Sequence, residues 1–221
     1  VILLSQWYEP ANARRRDELA SARGRNESSG VFEKCAYVDG TSQNWTYGDF
    51  FSLAASRFSG RVCVIANTDI VFDDTASLLP DLCHRGRLIA LTRWESYSSP
   101  RMLGHFAGER FFSGSQDAWA FVGGELTSLG KDVPLGRIGC DNCIAGEACL
   151  AGFEVVNPSL DIVSLHIHAS GDRGEQSPVY GRYGYPELCS SFPSGLVLCH
   201  DWRPGSSMSL VQASLVETCQ P

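Results

Sequence analysis

The feature that most constrains this chain is the regular exchange of short apolar runs for helical patterns over its first two-thirds. Val62-Cys63-Val64-Ile65-Ala66 and Leu88-Ile89-Ala90-Leu91 are apolar throughout, and each stops abruptly in polar residues. Such runs, separated by helix-length amphipathic stretches, specify an α/β layer fold, because a strand apolar on both faces must be covered on both.

Along the chain, Ile2 to Leu4 reads as a first strand leading into a polar, aromatic loop, Ser5 to Pro10. An Arg/Glu/Ala-rich helix over about 11–23 follows, then an apolar run from Val31 to Val38. Thr46 and Asp49 have capping-box spacing, and Tyr47, Phe51, Ala54 and Phe58 then share one helical face. Strands are expected over 61–66, 88–91 and 117–122. A helix is expected from Asp141 to about Ala151, with Gly152 placed to stop it. Next, Val163, Leu165 and Ile167 alternate with Ser164, His166 and His168. On a strand the two sets point to opposite faces.

Length fits this pattern, since 221 residues suit one α/β domain with or without an appendage. A content of 43% hydrophobic and 19% charged residues is too apolar for disorder. The net charge of −7 argues against broad adhesion to nucleic acid or an anionic membrane, so a polyanionic ligand needs a local device. Lys34 and Lys131 are the lysines among 18 bases, and the rest are arginines, whose planar fork suits phosphate as well as reflecting GC-rich codons. Nine cysteines cannot all pair internally, which favours a reducing, cytoplasmic setting. A chain that begins at Val1 is equally compatible with a removed leader. No apolar run approaches the ~18 residues of a membrane span. Sequons at Asn26 and Asn44 matter only in a secretory setting. Residues 171–221 hold 19 Gly, Pro or Ser and no lysine, and read as a cap or a loose tail.

Ligands in open α/β sheets gather at the carboxyl ends of strands, so the endings Asn67-Thr68-Asp69 and Thr92-Arg93-Trp94 are candidate site walls. A carboxylate there can hold a divalent cation that bridges phosphate oxygens; the same N-x-D pattern also makes ordinary turns. His166 and His168 share a strand face and can add nitrogen ligands, or can simply be exposed on an edge strand. Asp141 can serve as a general base kept ionised at a helix N-terminus, or can cap that helix, with Asn142 as the alternate cap. Asp117 and Trp119 pair an acid with a ring as sugar recognition requires, although strand cores hold Trp equally well. Arg14-Arg15-Arg16 lies where an anion would enter or forms a solvated helix face. Cys140 and Cys143 resemble a redox or zinc half-site without a second pair. Walker, G-x-G-x-x-G and G-x-S-x-G motifs are missing from the sequence.

Taken in order, residues 1–8 (VILLSQWY), 46–51 (TYGDFF), 65–70 (IANTDI), 90–94 (ALTRW), 115–119 (SQDAW), 135–142 (LGRIGCDN) and 165–168 (LHIH) resemble the small nucleotide-sugar glycosyltransferases. Among these the chain is most similar to the capsid-glycosylating transferase domain of large algal viruses. The resemblance spans 1–170 and implies a GT-A-like, Rossmann-like mixed central sheet flanked by helices in a single domain, with 171–221 as an extension. It implies that Asn67-Thr68-Asp69 stands at the D-x-D motif, with Asp69 as metal ligand and Asn67 in place of the first acid. It further implies His168 or His166 as the completing ligand, Asp141 as the acceptor-activating base, and Asp117 at the donor sugar or acceptor. Gln6, Trp7, Tyr8 and Glu9 would cover the base.

The function expected on these grounds is a metal-dependent, inverting transfer from a nucleoside diphosphate sugar, UDP-linked, to a glycan or glycoprotein acceptor. Mn²⁺ or Mg²⁺ would sit on Asp69 and His168, with Arg93 or Arg14 assisting the diphosphate beside Thr68 and Trp94. The rival expectations are a non-catalytic nucleotide- or glycan-binding module on the same fold, and a cysteine-centred zinc or redox protein.

Overall fold

The computed structural model describes residues 1–42, 44–95, 104–107, 110–113, 115–171, 189–191 and 197–199. In chain order the elements are β1 (Ile2–Trp7), α1 (Ala13–Ser28), β2 (Lys34–Asp39), α2 (Tyr47–Arg57), β3 (Val62–Ala66) and β4 (Ile70–Phe72). A 3-10 turn, Asp74–Leu78, runs into α3 (Leu79–Leu82), followed by β5 (Arg87–Leu91), β6 (Gly104–Ala107), β7 (Arg110–Ser113) and β8 (Ala118–Val122). The remainder comprises α4 (Cys140–Leu150), β9 (Glu154–Val156), β10 (Ser164–His166), β11 (Cys189–Ser191) and β12 (Val197–Cys199).

Six strands form one mixed sheet in the order β2-β1-β3-β8-β5-β9, in which β8 alone runs antiparallel to its two neighbours. The expected α/β class and helix-flanked mixed sheet are therefore present. Strand alternation divides the core. Ile2, Leu4, Cys63, Ile65, Trp119 and Phe121 pack with Phe50 and Phe51 of α2 and Ile144 of α4. Leu3, Val64, Ala66, Ala120, Ile89 and Leu91 pack on the other face with Ile70, Phe72 and Leu79. Both faces are covered, which is why β3, β5 and β8 read as continuous apolar runs.

Local signals account for the element ends. Thr46 and Asp49 form the expected reciprocal cap, with Asp49 N–H donating to Thr46 Oγ1 at 3.1 Å and Thr46 N–H to Asp49 Oδ2 at 2.9 Å. α1 runs to Ser28, past the expected end, and β1 continues through Trp7, so Gln6 and Trp7 are strand rather than loop. The cap of α4 is Gly139, at φ +85°, without a side-chain cap, so Asp141 is not the capping residue. Gly152, at φ +87°, follows its C-terminus as expected.

Two short strands lie outside the main sheet and matter most for the site. β4 pairs antiparallel with β10, aligning His166 with Ile70, and Ile167 N–H donates to Asp69 O at 2.8 Å. Trp94 flanks the other side of β10 through a parallel bridge to Leu165. The apolar stripe Val163, Leu165 and Ile167 packs on Ala22, Val71 and Trp94, as the alternation predicts. Apart from Gly171 and the β11–β12 pair, the Gly/Pro/Ser-rich extension lies outside the described residues. No helix among the described residues is long and apolar enough to cross a membrane.

Candidate metal centre and acidic edge

Because β8 is antiparallel to β3 and β5, its first residues lie at the same sheet edge as the ends of those strands. This brings Asn67-Thr68-Asp69, Arg93-Trp94 and Asp117 together. Asn67 O accepts from Ile70 N–H at 3.1 Å, closing a tight turn that turns Asp69 away from the sheet. Thr68 Oγ1 donates to Gln6 O, tying that turn to the end of β1, and Ser5 Oγ donates to Ala66 O at 2.9 Å.

Asp69 meets both histidines. His166 Nε2 lies 3.1 Å and His168 Nδ1 3.7 Å from Asp69 Oδ2, and all three side chains are at least nine-tenths buried. The histidines are thus not exposed on an edge strand. Burial alone would raise the Asp69 pKa, but hydrogen bonds from His166 and Arg15, together with the nearby His168 ring, outweigh it and hold the carboxyl well below the usual range. Burial would lower the His166 pKa; the facing Asp69 carboxylate reverses this and raises it. On the other side of the ring, His166 Nδ1 faces Glu95 Oε2 at 3.2 Å, and Arg93 Nε donates to Glu95 Oε1 at 2.8 Å.

Among the described residues, Asp69, His166 and His168 are the group whose ligand atoms lie close enough to hold one ion, all within 4.8 Å of one another. The donors fit a metal. His168 Nε2 is buried without a hydrogen-bond partner, a costly state that a bound ligand relieves. Cys140 and Cys143 are buried free thiols on α4 and join no such group among the described residues, which therefore lend the cysteine-centred expectation no support.

Arg93 links this cluster to an acidic pair. Its guanidinium lies 3.4 Å from Asp117 Oδ1, which also accepts from Asn67 Nδ2 at 2.7 Å, while Ser115 Oγ donates to Asp117 Oδ2 at 2.7 Å. Asp141, on the first turn of α4, receives Cys140 Sγ–H at 3.3 Å and a backbone hydrogen bond from Gln116. Burial and then the charge of Asp117 push its pKa up to about 8. Burial and the like charge of Asp117 therefore act against the expectation that a helix N-terminus keeps Asp141 ionised at neutral pH.

Two other expected residues are displaced. Trp119 is fully buried, edge-on to Tyr47 at 6.3 Å, so its ring belongs to the core and cannot cover a sugar. Arg14 faces solvent, and its neighbour Arg15 enters the site instead, with Nη2 donating to Asp69 Oδ2 at 2.5 Å. At the end of β1, Trp7 packs against Tyr37 with Arg23 5.0 Å above its ring, Tyr8 lies within electrostatic reach of Arg15, and Glu9 is exposed. Trp94 contributes structurally, donating from Nε1 to Ser159 O at 2.8 Å and accepting His166 N–H at 2.8 Å.

Sequence reasoning missed Glu18 and Glu95, and it singled out Arg15 only as part of the Arg14-Arg15-Arg16 run, without its contact to Asp69. Arg15 and Glu18 fall on the buried stripe of α1 with Leu19, Ala22 and Asn26, so ionisable residues at core-facing helical spacing were the available signal. Also missed was the buried network beneath β10, in which Ser159 Oγ accepts from Thr92 N–H at 2.7 Å and Asn157 Nδ2 donates to Thr92 Oγ1 at 2.9 Å. Comparison with models of known protein families gives no match, and comparison with curated proteins gives no significant relative.

Proposed function

We propose that this chain is a metal-dependent glycosyltransferase that moves a sugar from a nucleoside diphosphate sugar, UDP-linked, to a glycan or glycoprotein acceptor with inversion. The observation that carries this reading is the convergence of an Asp/His/His group with the buried Arg15, the partly buried Arg93 and an acidic pair at one sheet edge. Asp69, His166 and His168 would hold Mn²⁺ or Mg²⁺, and a bound ion supplies positive charge to a departing diphosphate.

The chain's own groups perform the remaining steps. Arg15 and Arg93 offer planar donors to the diphosphate oxygens, replacing the expected Arg14. Asp117, fixed by Asn67, Ser115 and Arg93, accepts hydrogen bonds from sugar hydroxyls. Asp141, once deprotonated, removes the acceptor hydroxyl proton as that oxygen attacks the anomeric carbon. A pKa near working pH is what a general base needs. Thr68 and Gln6 shape the wall toward the nucleotide.

A non-catalytic nucleotide- or glycan-binding module is the second reading, favoured by one observation: Asp69 Oδ2 is already satisfied by Arg15 and His166. UDP release from a panel of UDP-sugars, with and without Mn²⁺, separates the two. Metal-dependent release that Asp69→Ala lowers at least 100-fold supports the transferase. Tight UDP binding with no release from any donor, across a panel of glycan acceptors, supports the module.

A further inference from the structure

The oxygen of Asp69 that faces both imidazoles is also the one occupied by a cation of the chain itself. Arg15 Nη2 lies 2.5 Å from Asp69 Oδ2, His166 Nε2 3.1 Å and His168 Nδ1 3.7 Å. Arg15 and His166 together engage both lone pairs of that oxygen, and the guanidinium beside it repels a second cation, so a divalent ion shared with the two histidines binds against Arg15. Arg15 is well anchored: Nη1 donates to Glu18 Oε2 at 3.1 Å and to Ile167 O at 3.3 Å, and its side chain is about as buried as that of Asp69. Glu18 is itself fixed by Ser170 N–H at 2.6 Å, Ala169 N–H at 2.9 Å and Ser170 Oγ at 2.8 Å. The guanidinium therefore cannot simply swing into solvent when Asp69 is taken by another cation.

We propose that Arg15 is an internal competitor for the metal that makes ion binding conditional on an incoming diphosphate. Resting on the metal-site reading above, the inference adds its regulation. Without nucleotide, the guanidinium occupies Asp69 Oδ2 and keeps divalent ions weakly held. When a diphosphate arrives, Arg15 transfers Nη2 to a phosphate oxygen while Nη1 stays on Glu18 and Ile167 O, and Asp69 is released to the ion. Metal and nucleotide then favour each other's binding by the same factor.

Mn²⁺ binding to the full chain, followed by the loss of the free-ion electron paramagnetic resonance signal with and without UDP, tests this directly. In the parent protein, UDP should tighten Mn²⁺ binding at least tenfold. Arg15→Gln should bind Mn²⁺ without UDP at least tenfold more tightly than the parent and lose most of the UDP effect. Arg15→Lys, which keeps the charge but not the fork, should fall between the two and serves as the test if the glutamine variant does not fold by circular dichroism. Arg15 variants that bind Mn²⁺ no more tightly than the parent overturn the competitor role and leave the metal site standing. No Mn²⁺ binding by parent or variants, with or without UDP, overturns both.

Discussion

The charge state of Asp141 is the most consequential single-residue property of the site. Unfolded, an aspartate titrates near 3.9; folded, burial and Asp117 push this one up to about 8. Between these values the folded state holds a proton that the unfolded chain has lost. Stability therefore falls as pH rises through the window, by at most about 1.4 kcal/mol per pH unit. Asp141→Asn removes that titration, so its melting temperature should decline less than the parent's between pH 5 and pH 8, as thermal unfolding at several pH values will read. Transfer should behave in the opposite sense, rising with pH to a plateau above about 8 as the base deprotonates, and Asp141→Asn should abolish it while leaving UDP affinity intact. Near-normal turnover in that variant would remove Asp141 from the mechanism. Placement of this residue on the first turn of a helix was legible from Gly139-Cys140-Asp141; its protonation was not, because Asp117 reaches it only through the sheet.

At the scale of elements, the site depends on a clamp that α1 places over the β4–β10 pair. Asn26 Nδ2 donates to Ile70 O at 2.8 Å, and Asn26 Oδ1 accepts from Phe72 N–H at 3.0 Å, satisfying the outer edge of β4 as a neighbouring strand would. Two to three turns earlier on the same stripe, Glu18 and Arg15 hold the chain just after β10. Asn26→Ala leaves two buried backbone groups without partners and should cost on the order of 2–6 kcal/mol by chemical denaturation. Ser21→Ala, on the exposed side of α1, should stay within about 0.5 kcal/mol of the parent. Equal losses in the two variants would mean that helix content, not the clamp, sets the effect. The clamp also distinguishes the two sequons: the Asn26 amide is buried and committed to β4, whereas Asn44 is exposed. Helix α1 itself was visible in its Ala, Arg and Glu content. Asn26 was not, since its partners lie 44 and 46 positions away.

Across the whole molecule, the apolar runs gave the strands and the alternation at 163–168 gave the histidine face, because both are local consequences of a two-residue repeat. Strand order is a long-range property, and insertion of β8 between β3 and β5 is what gathers Asp117 beside Asn67 and Arg93. The net charge of −7 acquires a local meaning at that edge. Among the described residues, Glu18, Asp69, Glu95 and Asp117 face Arg15 and Arg93 as fixed cations, so a divalent ion reduces rather than adds to the imbalance. Two imidazoles with one carboxylate favour a borderline transition ion over Mg²⁺, which prefers an all-oxygen shell and sheds water reluctantly. The Mn²⁺–UDP complex, at about 100 times its dissociation constant, should therefore stabilise the fold by about 2.7 kcal/mol. For a chain of this length that is a rise in melting temperature of roughly 5–11 °C. Mg²⁺ with UDP should give less than half the shift, EDTA should reverse it, and Asp69→Ala should abolish it. Shifts of equal size with Mg²⁺ and Mn²⁺ would place the ion on carboxylates alone and exclude His166 and His168 from its shell.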